Sequence, residues 1–218
     1  MPSTTRILIT AGPTHEPIDA VRFLGNRSSG RMGLALAAEA IRRGLETTLL
    51  LGPVQGVQLP PGVEVHRFTT CEDLRVLLKA HAPATDILIM AAAVADYRPA
   101  LRTVLPNAKF RRGDGPKSIE LEPTPDLIAQ VAAGRRPGQF LVAFALEPAD
   151  EVVSSAHAKL RRKGVDLVVG NPLQTMDSDA VEAVVVDPQG GEIRTPGTMH
   201  KREFAPWLMD LILARRGA

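Results

Sequence analysis

The chain has 218 residues, 44% of them hydrophobic, and a single cysteine, Cys71; that is enough apolar material for one sizeable core, and it excludes a disulfide framework within the chain. The formal charge is only +2, no signal-type apolar region opens the chain, and no apolar run approaches the roughly 20 residues that cross a bilayer. Composition therefore argues against nucleic-acid binding and membrane insertion, and predicts a cytoplasmic protein with local cationic clusters for anionic small molecules.

Taken in chain order, short apolar runs alternate with helical patterns. Arg6–Ala11 reads as a buried first strand and Gly30–Arg43 as a helix that ends basic before Gly44. Glu46–Leu51 and Val63–Phe68 read as the second and third strands, Glu72–Ala80 as a helix, and Asp86–Ala95 as the fourth strand. Gln139–Leu146 is the fifth strand, followed by a helix from about Ala149 to Lys163 and a sixth strand over Asp166–Gly170. Ala180–Val186 is expected to form a hairpin with Gly191–Thr195, and Lys201–Arg216 closes the chain as an amphipathic helix. Aromatic residues make up only 4%, so Leu, Val, Ile and Ala must fill the core, which suits parallel strands covered on both faces. The pattern predicts an α/β fold: a Rossmann-like, doubly wound, mostly parallel sheet flanked by helices, with a C-terminal hairpin and helix, in one domain over residues 1–218. The irregular stretch around 97–125, rich in Pro, Gly and charge, is expected to be a functional or mobile insertion.

Chemistry concentrates after the first strand. Roughly fifteen residues of loop precede the first helix and end in Asn26-Arg27-Ser28-Ser29-Gly30-Arg31-Met32-Gly33. Ser28 or Ser29 is expected to cap the helix, its exposed amides favour an anion, and Gly30 and Gly33 allow close approach. Arg27 and Arg31 add positive charge. The same Ser-Ser-Gly-x-x-Gly pattern resembles the phosphate loop of short-chain dehydrogenases. A nicotinamide-dependent reductase of that kind also needs Tyr-x-x-x-Lys, whereas the single tyrosine, Tyr97, has Leu101 four residues later. The five histidines show no metal or triad spacing. Cys71, at the start of a helix, reads either as a thiol of depressed pKa or as a small buried residue.

A more specific resemblance runs along most of the chain. Gly12-Pro13-Thr14-His15-Glu16-Pro17-Ile18-Asp19, Val21-Arg22-Phe23 and Asn26–Gly33 resemble the phosphopantothenate–cysteine ligase family, as does Ala91-Ala92-Ala93-Val94-Ala95-Asp96-Tyr97-Arg98-Pro99. Lys109-Phe110-Arg111-Arg112 stands where the family usually has Lys-Ile-Lys-Lys, and Pro125-Asp126-Leu127-Ile128 where it has Asn-Pro-Asp-Ile/Leu. Phe144, Glu147, Lys159, Lys163 and Asn171 match its later strand, basic helix and following Asn. The chain departs from the family at Leu146 and Pro148.

The resemblance implies a ligase that joins L-cysteine to 4′-phosphopantothenate through an acyl-nucleotide, with CTP the expected triphosphate and ATP the alternative, and with Mg²⁺ arriving on the phosphates. It implies a homodimer, with residues 95–121 a candidate for crossing to the partner, and a ligase standing without a flavin decarboxylase half. Asn26 and Lys109 would be catalytic. Ser28, Ser29, Gly30, Ala91, Ala92, Ala93, Asp96, Lys109, Pro125, Asp126, Leu127, Ile128, Phe144, Lys159 and Lys163 would meet the nucleotide. Arg27, Arg31, Arg111 and Arg112 are candidates for substrate phosphate, and Asp96 is the one candidate metal contact. Gly113–Lys117 would be a turn in a lid. A reductase and a noncatalytic nucleotide-binding module stand as alternatives.

Overall fold

The computed structural model describes residues 4–105, 107–111, 113, 116, 118–176 and 178–217. Its main sheet has eight strands: β1 (Arg6–Ala11), β2 (Glu46–Leu51), β3 (Glu64–Arg67), β4 (Ile87–Met90), β5 (Phe140–Glu147), β6 (Leu167–Pro172), β7 (Val184–Val186) and β8 (Glu192–Arg194). Across the sheet the order is β8-β7-β6-β5-β4-β1-β2-β3. The first six strands in chain order pair in parallel, and β7 and β8 add as antiparallel neighbours. The strand order reverses between β1 and β4, where Ile9 lies beside both Leu49 and Ile89. This is the doubly wound arrangement, and the reversal opens a crevice at the carboxyl ends of those two strands.

The sheet is apolar on both faces because successive side chains point opposite ways. Ile7, Ile9, Leu49, Ile89 and Val142 pack with α1 (Arg31–Arg42) and α5 (Lys201–Gly217) through Leu36, Ala40, Phe204 and Leu208. Leu8, Leu50, Leu88 and Leu141 face the other way, onto α2 (Cys71–His81), α3 (Leu127–Ala133) and α4 (Val152–Lys163). Helix α1 crosses the end of β1 at Gly33, where a Cβ would stand 2.4 Å from that of Ala11. Helix α2 starts with a reciprocal cap, Thr70 accepting from the Asp73 amide and the Asp73 carboxylate accepting from the Thr70 amide. Among the described residues no helix is long and apolar enough to cross a membrane.

Several expected elements differ in detail. The loop between β1 and α1 contains a hairpin, His15–Pro17 against Phe23–Gly25. The fourth strand ends at Met90 rather than Ala95, because its pairing with β5 stops at Met90 beside Ala143. The chain then follows only the β1 side, Ala91 and Ala93 donating to Thr10 O (3.2 Å) and Gly12 O (2.9 Å). The region around 97–125 returns on itself as a two-stranded ribbon, Tyr97–Pro99 against Leu121–Pro123. The helix expected from Ala149 begins at Val152, after a turn in which Glu151 N donates to Pro148 O. The strand expected over Ala180–Val186 is broken: Ala180–Val181 pairs with Met199–His200, and β7 starts after Ala183, whose amide bonds the Thr195 hydroxyl.

Candidate active site

A cleft of about 590 Å³ opens at the reversal of strand order. One wall is the loop into α1, from Gly25 to Gly33. The floor is Ala91–Val94 and Asp96, and the opposite wall comes from Phe144–Glu147, Lys159, Asn171, Met176, Val181 and Lys201. A second recess of about 300 Å³ adjoins it, bordered by Thr124–Ile128, Arg162 and Lys163. The two share Ala92, Val94, Asp96, Phe144 and Lys159. They therefore form one divided crevice, and it gathers Asn26, Arg27, Ser28, Ser29, Gly30, Arg31, Ala91–Ala93, Asp96, Pro125–Ile128, Phe144, Lys159 and Lys163, residues far apart in sequence.

Asn26 spans the two motif loops: its Nδ2 donates to Val94 O at 3.0 Å. A primary amide has two N–H groups, so this bond orients the side chain without exhausting it as a donor. The expected serine cap is replaced by glycine. Gly30 is the N-cap, in a left-handed conformation (φ 70°), and no side chain caps the helix; Ser28 Oγ instead accepts from Gly30 N at 3.4 Å. Glycine takes this conformation without a steric penalty. The first-turn amides of α1 thus end at the cleft without a side-chain cap among the described residues, a geometry that suits an anion. Arg31, on the cleft lining, pairs with Asp179 at 2.9 Å.

Asp96 does not end a strand. It sits where the chain leaves the floor for the ribbon, exposed to both halves of the crevice. Its segment is held on two sides. Ala95 N donates to the buried Thr14 hydroxyl at 3.0 Å, Thr124 Oγ1 donates to Ala95 O at 2.5 Å, and Thr124 N donates to Asp96 O at 2.9 Å. Tyr97 lies on the ribbon, exposed and outside the cleft lining, so the hydroxyl a short-chain reductase would use is not in the crevice.

Lys159 and Lys163 lie one turn apart on α4 and both border the smaller recess. Lys159 donates to Phe144 O, and Lys163 pairs with Asp126, the N-cap of α3. Burial, together with the neighbouring Lys163 ammonium, pushes the Lys159 pKa below the usual lysine range, against the pull of Glu147 and Asp96. A partly buried ammonium of this kind gains from an incoming polyanion.

Lys109 and Arg111 are exposed and line neither part of the crevice. Arg112 lies outside the described residues, as does most of the turn expected over Gly113–Lys117. The strap that carries Lys109 is fastened to the hairpin after β1: Leu105 N donates to Ile18 O (3.2 Å) and Ala20 N to Ala108 O (3.0 Å). Phe110 N donates to the Asp19 carboxylate at 3.1 Å. That carboxylate also accepts from the amides of Val21 and Arg22, each at 2.8 Å, and pairs with the Arg22 guanidinium. Burial works against the charge on Asp19, but these donors outweigh it and hold its pKa down at about 2.

Cys71 is fully buried, its amide donating to Glu16 Oε1 at 2.8 Å, and burial first, then the nearby Glu16 charge, push its thiol up to about 11. Of its two readings, the small buried residue is the one found. Among the described residues no group of three or more His, Cys, Asp and Glu is arranged to hold a metal ion. The wall residues Thr175, Met176, Val181 and Lys201 carry no sequence signal. They arrive from the connection after β6 and the start of α5, and no motif or spacing marks them.

Residues 3–215 match the family described as the DNA/pantothenate metabolism flavoprotein C-terminal domain. The coenzyme A biosynthesis bifunctional protein CoaBC of Mycobacterium tuberculosis is 46% identical over 175 residues, which cover 76% of this chain and 41% of that protein. Among such curated relatives the chain spans 41 to 50% of their length. The crystal structure of the C-terminal domain of a CoaBC superposes with a TM-score of 0.80 at 34% identity, covering 95% of this chain and 93% of the other. A mutant of Cab2 in complex with phosphopantothenate-cysteine shares the fold, with a TM-score of 0.80 at 21% identity, covering 98% of this chain and 86% of that one.

Proposed function

The chain belongs to the family of the DNA/pantothenate metabolism flavoprotein C-terminal domain, and on that premise we propose that it is a cytoplasmic phosphopantothenate–cysteine ligase. It joins L-cysteine to 4′-phosphopantothenate in coenzyme A biosynthesis, at the expense of CTP. The observation that carries this reading is the meeting of Asn26, the uncapped N-terminus of α1, Asp96 and Lys159 around one crevice at the switch in strand order.

The reaction has two steps. The substrate carboxylate attacks the α-phosphorus of the triphosphate, the bond to the β-phosphate breaks, and pyrophosphate leaves an acyl-cytidylate. The cysteine amine then attacks the acyl carbon, the bond from that carbon to the phosphate oxygen breaks, CMP leaves and the amine gives up a proton. The first step brings a carboxylate against a polyanion, so positioning and charge neutralisation dominate. Lys159 and Lys163 offer the nucleotide phosphates positive charge from the recess, and the α1 amides offer partial charge from the other wall. Asn26, oriented by Val94, donates its second N–H to the oxygen of the acyl group as negative charge builds there. Lys109 and Arg111 would reach the phosphates from the strap.

The donor set fits Mg²⁺ carried in by the triphosphate. Asp96 supplies one open carboxylate, and Mg²⁺ is commonly held by one or two carboxylates plus phosphate oxygens. When bound, the ion would neutralise phosphate charge, and Asp96 would hold it. A homodimer is supported by the apolar side chains left open along the hairpin and ribbon. Val21, Phe23, Tyr97, Leu101 and Leu121 are each between 47% and 71% exposed.

The test is turnover with 4′-phosphopantothenate, cysteine, Mg²⁺ and each nucleoside triphosphate in turn, reading pyrophosphate and nucleoside monophosphate. CTP is expected to give the highest kcat/KM, with ATP the comparison. Release with none of them overturns the ligase reading, and tight nucleotide binding without turnover identifies a binding module instead.

A further inference from the structure

Lys159 apart, the wall of the cleft opposite Asn26 has no role in the reaction as derived so far, yet its chemistry is distinctive. Glu147 ends β5 beside Pro172 of β6, and Leu146 is paired with Asn171. The chain then turns through Leu173–Thr175 to Met176. Val181 follows, paired with Met199. Lys201 is drawn back against this connection, its amide donating to Asp179 O at 2.8 Å and its ammonium to Ser178 O. This wall of the cleft therefore presents a carboxylate, an ammonium, a thioether and the Asn171 amide, whose Nδ2 is turned to Glu182 O at 3.4 Å.

We infer that this wall is the subsite for the amino-acid substrate, a zwitterion carrying a thiol. The inference rests on the ligase reading. The amine must approach the acyl carbon from the side away from the departing nucleotide phosphate. With the acyl group held by Asn26 and the phosphates between α1 and Lys159, that side is the one bounded by Glu147, Met176 and Lys201. An amino acid there needs a cation for its carboxylate, which Lys201 provides. It needs an anion for its ammonium, and a carboxylate able to accept the proton the amine sheds before it attacks; Glu147 provides both. The thiol is a soft, weakly hydrogen-bonding group and packs against the polarisable sulfur of Met176. A hydroxyl in the same place would lose its partners, since an apolar pocket does not replace the hydrogen bonds it had in water. Thiol is thereby preferred over alcohol.

The experiment is steady-state kinetics on the full chain for Lys201→Met, Glu147→Gln and Met176→Gln, each substrate varied in turn. Loss of one charged contact is expected to raise KM for cysteine roughly 10- to 100-fold, with KM for CTP and for 4′-phosphopantothenate within about twofold of the parent. Met176→Gln, which keeps the side-chain length, is expected to narrow the preference for cysteine over serine. A thermal melt of each variant identifies any that fails to fold, and the remaining ones decide the matter. An unchanged KM for cysteine in every folded variant overturns the subsite, as does a rise confined to CTP, which would give this wall to the nucleotide. A parent protein that releases no pyrophosphate at all overturns the ligase reading instead, so the two failures are distinct.

Discussion

The two motif-bearing loops that leave the sheet at the switch point are built in opposite ways. The segment from Gly12 to Gly33 is anchored in the core at both ends, with its hairpin between them open to solvent. Gly33 lies against β1, Glu16 is buried at the start of α2, and Thr14 is buried beneath Ala95. The segment from Asp96 to Thr124 departs as a short ribbon and strap, fastened at its root by Thr124 and farther out by bonds to Ile18, Asp19 and Ala20 of the hairpin. The first keeps Asn26 in one geometry. The second carries Lys109, exposed, on a strap bonded to the hairpin mainly through backbone groups. On the proposed reading, a site that holds a reactive acyl group still and yet admits three substrates has reason to divide its machinery in this way.

That division can be broken or sharpened by experiment. The largest effect is expected at the rigid side. Asn26→Asp replaces the donor by an anion and should slow amide formation by about 10²- to 10³-fold, with acyl-cytidylate accumulating in a quench assay. Normal amide turnover would remove Asn26 from the mechanism. Lys159→Met should raise KM for CTP roughly 10- to 100-fold and leave KM for cysteine nearly unchanged. At the root of the ribbon, Thr124→Val removes the bond to Ala95 O and should cost about 1 kcal/mol of stability, while hydrogen exchange speeds up in the ribbon and not in α1. Equal acceleration in both would erase the contrast.

The last test is pH. Asp19 has its pKa depressed from an ordinary 3.8 to about 2, so its stabilising charge is fully present above pH 4 and is lost as pH falls through about 2. Proteolysis of the strap by an acid protease should accelerate over that window in the parent. In Asp19→Asn this pH dependence should be absent.

Much of this architecture was legible in the sequence because the physics is local. Strands such as Ile7–Ile9 and Leu88–Ile89 are apolar at every position, which only a sheet covered on both faces explains. The charged and small residues of the crevice stood in short, recognisable runs. Three features were not legible. Ala91–Ala95 continues the apolar pattern of β4, so nothing in composition announces that β5 stops pairing at Met90. Ser28 and Ser29 are good capping residues, but Gly30 can turn left-handed and takes the cap itself. Met176 and Lys201 join the cleft only because the connection after β6 folds back on α5, and long-range closure of that kind leaves no periodicity to read.

Cys71 carries a consequence for chemistry it does not take part in. A thiol held at about 11 is thiolate to only about one part in ten thousand near neutral pH, and thiol–disulfide exchange proceeds through the thiolate. On the proposed ligase reading, an enzyme that draws in free cysteine is exposed to mixed-disulfide formation, from the oxidised dimer of that thiol, at any reactive sulfur of its own. Here the one sulfhydryl the chain possesses is fully buried in the first turn of α2, where it is kept from such exchange.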